Sequence, residues 1–260
     1  MTAFGINDAK RLFDLKKPTA IVTGGAGSLG HAISICLRDC GCRVVAIDRD
    51  ETTPAAFAAE PGITGLSCDL TDPEKTEQRL REVWDQFGPI SILVNAVGYI
   101  HSAPLVNIAS SSDRGHSFDA WRKVIDANLT AVFLATVNIV ERMASTRTRG
   151  VVVNISSVAA AGNAGQSAYS AAKAGVNAMT LAWAKELGPL GIRFVAIAPG
   201  FVDTPTTHAA LSEATTKDWI RRTPLRRLGS IDDVLSAVLF ALTNDHVTGK
   251  VIEIDGGLTL

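Results

Sequence analysis

The side chains best suited to moving a proton in this sequence belong to a tyrosine and a lysine, Tyr169 and Lys173. Their spacing of four places both side chains on one face of a helix. A tyrosine with an ordinary pKa of about 10 is a poor proton shuttle at neutral pH, but a neighbouring ammonium group favours its phenolate. Ser156 and Ser157 lie upstream at the end of a predicted strand, where a hydroxyl can donate a hydrogen bond to a substrate carbonyl. Together these side chains predict acid–base chemistry at a carbonyl or alcohol oxygen.

A glycine-rich turn near the start of the sequence predicts a binding site for a dinucleotide phosphate. Residues 23–30 lie between a predicted strand and a predicted helix, and they contain the pattern Gly25-x-Gly27-x-x-Gly30. Glycines let the backbone approach a pyrophosphate, and the helix N-terminus offers free N–H groups and the positive end of its dipole. The strand–turn–helix context favours this interpretation over a turn that serves packing alone.

An acidic residue at the end of the second predicted strand favours NAD over NADP as the cofactor. Asp48 occupies the position at which dinucleotide-binding folds place a carboxylate against the adenosine ribose hydroxyls. At about 4 Å and an effective dielectric constant of roughly 20, that carboxylate would repel the extra phosphate of NADP by several kcal/mol. Arg49 follows Asp48 and would partly offset the repulsion.

The elements that must position these residues alternate between strands and helices. Apolar segments predict strands at 19–22, 43–47, 65–68, 91–94, 150–155, 193–197 and 250–254. Helices are predicted from the glycine turn to about residue 39 and at 73–84, 118–143 and 168–187. The helix at 73–84 begins with Asp72 as its N-cap and Pro73 as its first residue. The predicted fold class is α/β: a single-domain, Rossmann-type, doubly wound parallel sheet of about seven strands with helices on both faces.

One domain is predicted over residues 1–260, with residues 1–17 as an N-terminal extension. Two polar segments follow strand ends, where open α/β sheets bind ligands. The first is a loop at 109–117, and the second, at 204–223, is the expected substrate-loop segment.

Composition and charge exclude several classes of protein. The 260 residues include 25 Lys and Arg against 26 Asp and Glu, a formal net charge of −1, so we expect neither nucleic acid nor a membrane surface as a partner. No uninterrupted apolar run approaches the ~18–20 residues of a membrane span, and the first residues lack a signal-peptide pattern, so we expect a cytoplasmic protein.

The four cysteines are interpreted as reduced, buried side chains. No metal site is expected, because no His or carboxylate cluster accompanies Cys36 and Cys40.

Several motifs follow one another along the chain in an order that resembles the short-chain dehydrogenase/reductase family. The similarity covers residues 12–257 and points to the compact branch of about 250 residues. The matching stretches are 23–30, 68–70, Leu93-Val94-Asn95-Ala96-Val97-Gly98, Asp126-Ala127-Asn128-Leu129, Asn154-Ile155-Ser156-Ser157, 169–173, 198–204 and Asp255-Gly256-Gly257.

The resemblance implies a role for each matching residue. It makes Tyr169 the acid/base, Lys173 the residue that holds the nicotinamide ribose and lowers the pKa of the tyrosine, and Ser157 the group that orients the substrate oxygen. Asn128 would help to anchor a proton-relay water. The residues then expected to contact the cofactor are Gly24, Gly27, Ser28, Leu29, Gly30, Asp48, Arg49, Asp69, Leu70, Asn95, Ala96, Gly98, Tyr169, Lys173, Pro199, Gly200, Val202 and Thr204.

Three departures from the family pattern matter. Ser28 replaces the middle glycine of the usual turn, which gives the spacing seen in the longer sugar-nucleotide epimerase branch. That branch needs a further C-terminal substrate domain, which we do not expect here. Ala96 stands where an asparagine is common. The gap from Ser157 to Tyr169 is one residue shorter than usual, whereas Ser156 gives the usual gap. The register at the strand end favours Ser157, and Ser156 remains the alternative.

The predicted activity is NAD(P)-dependent interconversion of a secondary alcohol and a ketone. A polyol or sugar acid is the preferred substrate class, with a 3-oxoacyl thioester or a hydroxysteroid as alternatives, and an NAD(P)-binding sensor is the non-enzyme alternative.

The predicted helix at 118–143 is apolar on more than one face, and that at 168–187 is rich in small residues. Since an apolar helix must be covered all round, and related enzymes pair these helices across a two-fold axis, we expect a homotetramer, or failing that a dimer.

Overall fold

The computed structural model describes residues 17–110, 112, 114–210 and 212–260. Seven strands in this part of the chain form one parallel sheet in the order β3-β2-β1-β4-β5-β6-β7, which confirms the predicted fold class. The strands are β1 (Thr19–Thr23), β2 (Arg43–Asp48), β3 (Ile63–Ser67), β4 (Ile90–Asn95), β5 (Gly150–Ile155), β6 (Ile192–Pro199) and β7 (Lys250–Ile254). The predicted extension at 1–17 lies, except for Lys17, outside the described residues.

Helices connect the strands and cover both faces of the sheet. They are α1 (Ser28–Asp39), α2 (Thr53–Ala56), α3 (Pro73–Phe87), α4 (Phe118–Ile125), α5 (Ala131–Ser145), α6 (Ser167–Leu187), α7 (Pro205–Ala210), α8 (Glu213–Arg222) and α9 (Ile231–Thr243). A π-helical turn (Asp126–Thr130) joins α4 to α5, and 3₁₀ turns occur at Val158–Ala161 and Gly188–Leu190.

Two apolar cores, one on each face, hold the sheet in place. On one face α1 and α9 contribute Ile33, Leu37 and Val238, all at most 1% exposed. On the other face α3, α5 and α6 pack against the strands through side chains such as Leu80 and Ile139. Because β1, β4 and β5 are buried along their whole length, their residues read as continuous apolar runs rather than alternating ones.

The predicted start of α3 is confirmed in detail. The Asp72 side chain accepts a hydrogen bond from the Lys75 backbone N–H at 3.1 Å, and Pro73 is the first helical residue. The helix runs three residues beyond the predicted end, to Phe87, and stops where Gly88 adopts a φ of 79°. The third strand, β3, begins two residues before its predicted start, at Ile63.

The helix predicted at 118–143 is present, but it is not α-helical along its whole length. The helical run Phe118–Ser145 is continuous, but it passes through the π-helical turn, which inserts one extra residue per turn and shifts the faces on either side. This run is long and apolar enough to cross a membrane by length and composition, although polar residues interrupt it. Half of its most apolar 18-residue window is buried, as in a core helix, so its length is weak support for a membrane span.

The two polar segments have more structure than the sequence suggests. The loop predicted at 109–117 belongs to a hairpin-like excursion, closed by an antiparallel bridge between Val106 and Gly115. The segment at 204–223 contains α7 and α8, and residue 211 between them lies outside the described residues. Of the four cysteines, Cys42 and Cys68 are buried as interpreted, but Cys36, in α1, and Cys40, its C-cap, are only half-buried.

Candidate active site

The predicted site residues converge at the carboxyl ends of the central strands, where the strand order reverses between β1 and β4. Here the glycine turn after β1 contacts the segment after β4. Gly24 has a φ of 72°, and a Cβ at this position would lie 2.6 Å from the Val97 backbone nitrogen. A Cβ at Gly30 would lie 2.1 Å from the Gly24 carbonyl oxygen. Both positions therefore require glycine, one for its backbone conformation and both for close approach.

The start of α1 leaves backbone donors free for an anion. Gly27 is its N-cap and has no side chain to accept the first helical N–H groups. Ser28, which replaces the family's middle glycine, is the first residue of the helix, and Leu29 and Gly30 complete its opening turn. Ser28 does not have a positive φ, so the backbone conformation at this position does not require glycine.

A groove runs from this turn across the ends of β2, β3 and β4. Its walls bring together eight of the expected cofactor residues and six residues that were not predicted. The expected residues that line it are Gly24, Gly27, Asp48, Arg49, Asp69, Leu70, Ala96 and Gly98, and the additional ones are Cys68, Thr71, Val97, Tyr99, Ala127 and Ala131. Five of the additional six are chain neighbours of predicted site residues, so the motif positions indicate where the groove lies; Ala131, the first residue of α5, is the one that no motif indicates. The glycine-lined floor and polar rim fit an extended dinucleotide.

Asp48 and Asp69 are held at the rim by local hydrogen bonds. The Asp48 carboxylate accepts from the Ala26 backbone N–H at 3.1 Å, which ties the end of β2 to the glycine turn. Asp69 accepts from the backbone N–H of Thr71 at 3.0 Å and from its hydroxyl at 2.7 Å. Arg49 is exposed beside Asp48. Two carboxylates held by local hydrogen bonds therefore line this part of the groove, and their contact with the adenosine stays a prediction.

Asn95 has a structural position rather than one in the groove wall. It is fully buried, and its amide donates to Thr136 Oγ1 at 3.0 Å and to Asn154 Oδ1 at 2.9 Å. Asn154 in turn donates to Thr180 Oγ1 at 2.9 Å. This chain of buried hydrogen bonds ties β4 and β5 to α5 and α6, so Asn95 steadies the central strands from within.

Tyr169 and Lys173 lie one turn apart on α6, as their spacing predicts. The Lys173 ammonium nitrogen lies 5.6 Å from the centroid of the Tyr169 ring and donates to the Ile155 carbonyl at 2.9 Å. Ser157 begins the 3₁₀ turn that follows β5, and its hydroxyl accepts from the Ala159 N–H at 3.1 Å. A hydrogen-bonding contact from Ser157 reaches the Tyr169 phenol and lowers its pKa.

The two serines at the end of β5 face different partners. Ser156 is 3% exposed, and its hydroxyl donates to the Lys173 carbonyl oxygen at 3.3 Å, towards the backbone of α6. Ser157 is the one whose hydroxyl meets the Tyr169 phenol. This geometry favours Ser157, and the shorter gap to Tyr169 is then a shorter loop between the 3₁₀ turn and α6.

Burial dominates the titration of this pair. It raises the pKa of Tyr169 to about 12, with the Ser157 contact acting in the opposite direction, and it lowers the pKa of Lys173 to about 8. The expected lowering of the tyrosine pKa by Lys173 does not appear in the protein alone, because burial brings the pKa of Lys173 to about 8 and the amine is neutral before Tyr169 ionises. A further positive charge beside Tyr169 is needed to make its phenolate accessible near neutral pH.

Asn128 lies in the π-helical turn and is fully buried. Its amide nitrogen donates to the Tyr99 carbonyl at 2.7 Å and to the Val124 carbonyl at 2.9 Å, and its oxygen accepts from the Tyr99 N–H at 3.2 Å. A Cβ at Gly98 would lie 3.0 Å from the Asn128 oxygen and 3.6 Å from the Lys173 nitrogen. Gly98 thus leaves space where the two side chains approach each other, and the anchoring of a water by Asn128 stays a prediction.

The four expected cofactor residues after β6 lie at the same edge of the sheet but outside the groove wall described above. Pro199 ends β6, and a Cβ at Gly200 would lie 3.0 Å from the Asp255 Cα. Val202 pairs with Gly229, and Thr204 is 9% exposed, with its hydroxyl 3.0 Å from that of Thr207. Their contact with a cofactor therefore remains a prediction.

Aromatic stacking anchors the segment that follows these residues. The ring of Phe201 stacks on that of Trp219 with centroids 4.3 Å apart, and the Arg222 guanidinium lies 4.2 Å from the centroid of the same indole. An exposed pair, His208 and Asp203, lies nearby, with 2.6 Å between Nε2 and Oδ1. In the described part of the chain no group of three or more His, Cys, Asp or Glu side chains could hold a metal ion.

Comparison with known proteins identifies the family that this chain matches. The family model described as short chain dehydrogenase matches residues 18–215, which contain both the glycine turn and the Tyr169 helix. A 3-oxoacyl-[acyl-carrier-protein] reductase of Thermotoga maritima is 35% identical over 95% of this chain and 99% of its own length. Carbonyl reductase family member 4 of Danio rerio is 34% identical over 93% of this chain and 98% of its own.

Two further comparisons agree with these. A (3R)-3-hydroxyacyl-CoA dehydrogenase of Canis lupus familiaris is 32% identical over 94% of this chain and 97% of its own length. Among solved structures, the crystal structure of gox2181 has a TM-score of 0.86 at 29% identity, covering 97% of this chain and 98% of that one. Each similarity extends over nearly the whole chain rather than over the nucleotide groove alone.

Proposed function

The chain belongs to the short-chain dehydrogenase family, and from this premise we propose that it interconverts a secondary alcohol and a ketone with NAD as the cofactor. One observation carries the proposal: the side chains of Ser157 and Lys173 both lie close to Tyr169, and the Lys173 nitrogen lies 3.6 Å from the place of a Cβ on Gly98, a residue of the groove wall. A sensor that only binds the nucleotide needs the groove but not this set of side chains. Their joint presence therefore favours the enzyme over the sensor.

Each of these side chains has a distinct task at the substrate oxygen. The nicotinamide cofactor, when bound, supplies or accepts the hydride. Tyr169 donates a proton to the carbonyl oxygen in reduction and accepts it from the alcohol in oxidation. Ser157 donates a hydrogen bond to the same oxygen and holds it within reach of the phenol. Lys173 contributes positive charge and a donor at the inner end of the groove.

The pKa values explain why Tyr169 depends on its surroundings. In the protein alone burial holds the phenol protonated, with its pKa raised to about 12. In that state it is ready to donate a proton, which suits reduction of a ketone. For oxidation the phenolate must form, and positive charge beside the ring lowers the free energy of that form.

The rim of the groove supports NAD rather than NADP. The Asp48 carboxylate is tied to the glycine turn through the Ala26 N–H, so it cannot swing away from a 2′-phosphate without losing that bond. We expect NAD to bind at least ~10-fold more tightly than NADP, a difference of about 1.4 kcal/mol. Equal or reversed affinities in a calorimetric titration would contradict this and would make Arg49 the phosphate ligand.

The names of the relatives support an acyl thioester as the substrate. Two of the proteins compared above are, by name, a 3-oxoacyl-[acyl-carrier-protein] reductase and a 3-hydroxyacyl-CoA dehydrogenase. The preference for a polyol or sugar acid, drawn from NAD usage, has no such support. We therefore propose a 3-oxoacyl or 3-hydroxyacyl thioester as the substrate class.

The organisation of the active form is also part of the proposal. We propose a single NAD(P)-binding domain over residues 1–260, located in the cytoplasm. Phe133 and Val137 of α5 are each 45% exposed beside Trp183 of α6, which supports a homotetramer, or a dimer, formed through these helices. Gly175, one of the small residues of α6, packs closely against Leu129 of its own chain, where a Cβ would lie 2.9 Å from Leu129 Cδ1.

A substrate panel tests the activity. The purified protein is mixed with NADH or NADPH and a 3-oxoacyl thioester, a keto sugar acid or a ketosteroid, and the nicotinamide absorbance is followed. We expect the fastest turnover with NADH and the thioester. Tight binding of NADH without turnover of any ketone or alcohol would contradict the enzyme and favour the sensor.

A further inference from the structure

The last six residues, 255–260, form a tail whose final residue packs against an apolar cluster that contains Tyr169. Val124, Ala159, Ala168 and Tyr169 form a small apolar cluster, separate from the two cores of the sheet. Three partly buried side chains pack against this cluster: Tyr99, Trp121 and Leu260. We call these three side chains the apolar wall. Nothing in the proposed chemistry accounts for Leu260 being there.

A tight turn directs the tail towards the cluster. Gly256 and Gly257 have φ values of 64° and 86°, a region that side chains other than glycine rarely adopt. Asp255 organises this turn, because its carboxylate accepts from the Gly257 N–H at 2.8 Å and its carbonyl accepts from the Leu258 N–H at 3.2 Å. Leu258 is then 5% exposed and fixes the tail. The path of the chain is therefore defined by its own hydrogen bonds as far as Leu258, two residues before Leu260.

The tail also contacts the segments that surround the site. The Gly200 N–H donates to the Ile254 carbonyl at 2.9 Å, which joins the start of the tail to the end of β6. On its other side the Leu225 N–H donates to the Gly256 carbonyl at 3.2 Å, just after the 204–223 segment. A Cβ at Gly256 would lie 2.8 Å from Thr223 Cγ2, so this contact is close. The tail thus lies between the cofactor edge and the expected substrate segment.

Hydrogen bonds also fix Tyr99, a second residue of the apolar wall, and the segment that follows it. The Tyr99 backbone is fixed by both polar atoms of the Asn128 side chain. Beyond it, the Ala103 N–H donates to the Gly165 carbonyl at 2.7 Å, and Gln166 Nε2 donates to the Ser102 hydroxyl at 3.1 Å. These bonds secure the segment after β4 against the loop that leads to Tyr169. Leu260 therefore faces a fixed surface.

We propose that Leu260 is a specificity-determining residue of the substrate site. Its side chain, with Tyr99 and Trp121, contacts the substituent that the substrate carries next to its carbonyl carbon and limits the size of that substituent. All three side chains keep part of their surface accessible beside Tyr169, where the substrate oxygen must lie. An apolar surface there favours an alkyl substituent over a hydroxylated one, because a hydroxyl would lose its hydrogen bonds with water. This inference rests on the proposed function.

The test changes the size of the side chain in both directions. Leu260→Ala and Leu260→Phe are compared with the parent on two 3-oxoacyl thioesters whose alkyl substituents at the carbonyl differ by two methylene groups. The ratio of kcat/KM for the longer over the shorter substrate should rise about threefold or more in Leu260→Ala. It should fall by a similar factor in Leu260→Phe, while the Kd for NADH stays within twofold in both.

Leu258→Ala is the matched control, because it removes an equal volume from the same tail outside the apolar wall. It should lower the thermal midpoint and leave the substrate ratio unchanged. The proposal is overturned if both substrates change by the same factor in both Leu260 variants, or if Leu258→Ala shifts the ratio as far as Leu260→Ala does.

A failure of the proposed function is distinguishable from a failure of this inference. If the parent reduces neither thioester, the function fails, and the same ratio is then measured as Kd values of the two thioesters for the protein–NADH complex by calorimetry. Opposite shifts of that ratio in the two Leu260 variants would support the apolar wall, and equal Kd changes for both ligands would overturn it.

Discussion

Lys173 is a buried cation, and replacing it by an apolar side chain should raise the free energy of unfolding of the protein. Its side chain is 3% exposed, and it makes one hydrogen bond, to the Ile155 carbonyl at 2.9 Å. Lys173→Met keeps the length and apolar stem of the side chain but removes the charge. We predict that this variant, free of cofactor, is more stable than the parent at pH 7.

The magnitude follows from the titration of the buried amine. Burial lowers the pKa of Lys173 from its ordinary 10.5 to about 8. Each pKa unit corresponds to about 1.4 kcal/mol, so at pH 7 the charged amine costs the folded state about 3 kcal/mol relative to the unfolded chain. Loss of the bond to Ile155 costs about 1 kcal/mol. The net gain expected for Lys173→Met at pH 7 is therefore about 2 kcal/mol.

The sign of the pH dependence is fixed by which state holds more protons. Between pH 8 and 10.5 the unfolded chain keeps the Lys173 proton while the folded protein has lost it, so the stability of the parent rises with pH in this window. By pH 10 about 2 kcal/mol of the cost has gone. The advantage of the variant should therefore shrink to about zero at pH 10. Tyr169 titrates in both proteins, and its contribution largely cancels in the difference.

Urea unfolding at equal protein concentration, followed by tryptophan fluorescence at pH 7 and pH 10, measures both quantities. Lys250→Met is the control, because Lys250 is exposed on β7; its effect should stay within ~0.5 kcal/mol at both pH values. A Lys173→Met variant that is less stable than the parent by the same amount at both pH values would refute the reasoning, since the ammonium would then carry no burial cost.

Two further predictions concern the catalytic serine and the assembly. Ser157→Ala should lower kcat at least tenfold more than Ser156→Ala, because Ser157 meets the Tyr169 phenol; the opposite order of the two rates would contradict the geometry. Val137→Asp should dissociate the assembly without unfolding the chain, since Val137 is 45% exposed in the protomer. Light scattering checks this, with Leu190→Asp at another exposed site as the control, and a parent that is already a 27.4 kDa monomer at micromolar concentration would contradict the proposed oligomer.

The features that the sequence predicts correctly are those set by local spacing. The glycine turn, the Asp72 cap and the four-residue step from Tyr169 to Lys173 depend only on neighbours along the chain. Continuous apolar runs mark the buried strands because parallel strands are covered on both faces.

The features that escape the sequence depend on contacts between distant segments. The π-helical turn at Asn128 has ordinary helix-forming neighbours, and its extra residue is stabilised by the bonds of Asn128 to Tyr99. The raised pKa of Tyr169 comes from burial that sequence alone does not measure. Leu260 is separated from Tyr169 by 91 positions in the sequence, so no local pattern links the two.

The central claim is that Tyr169 transfers the proton at the substrate oxygen, and Tyr169→Phe tests it most directly. The variant keeps the ring and its packing but removes the acidic hydroxyl. Steady-state turnover of the preferred ketone with NADH, measured together with the Kd for NADH, should show kcat lowered at least ~100-fold with the Kd within about twofold. A variant that retains activity within tenfold of the parent would contradict the claim.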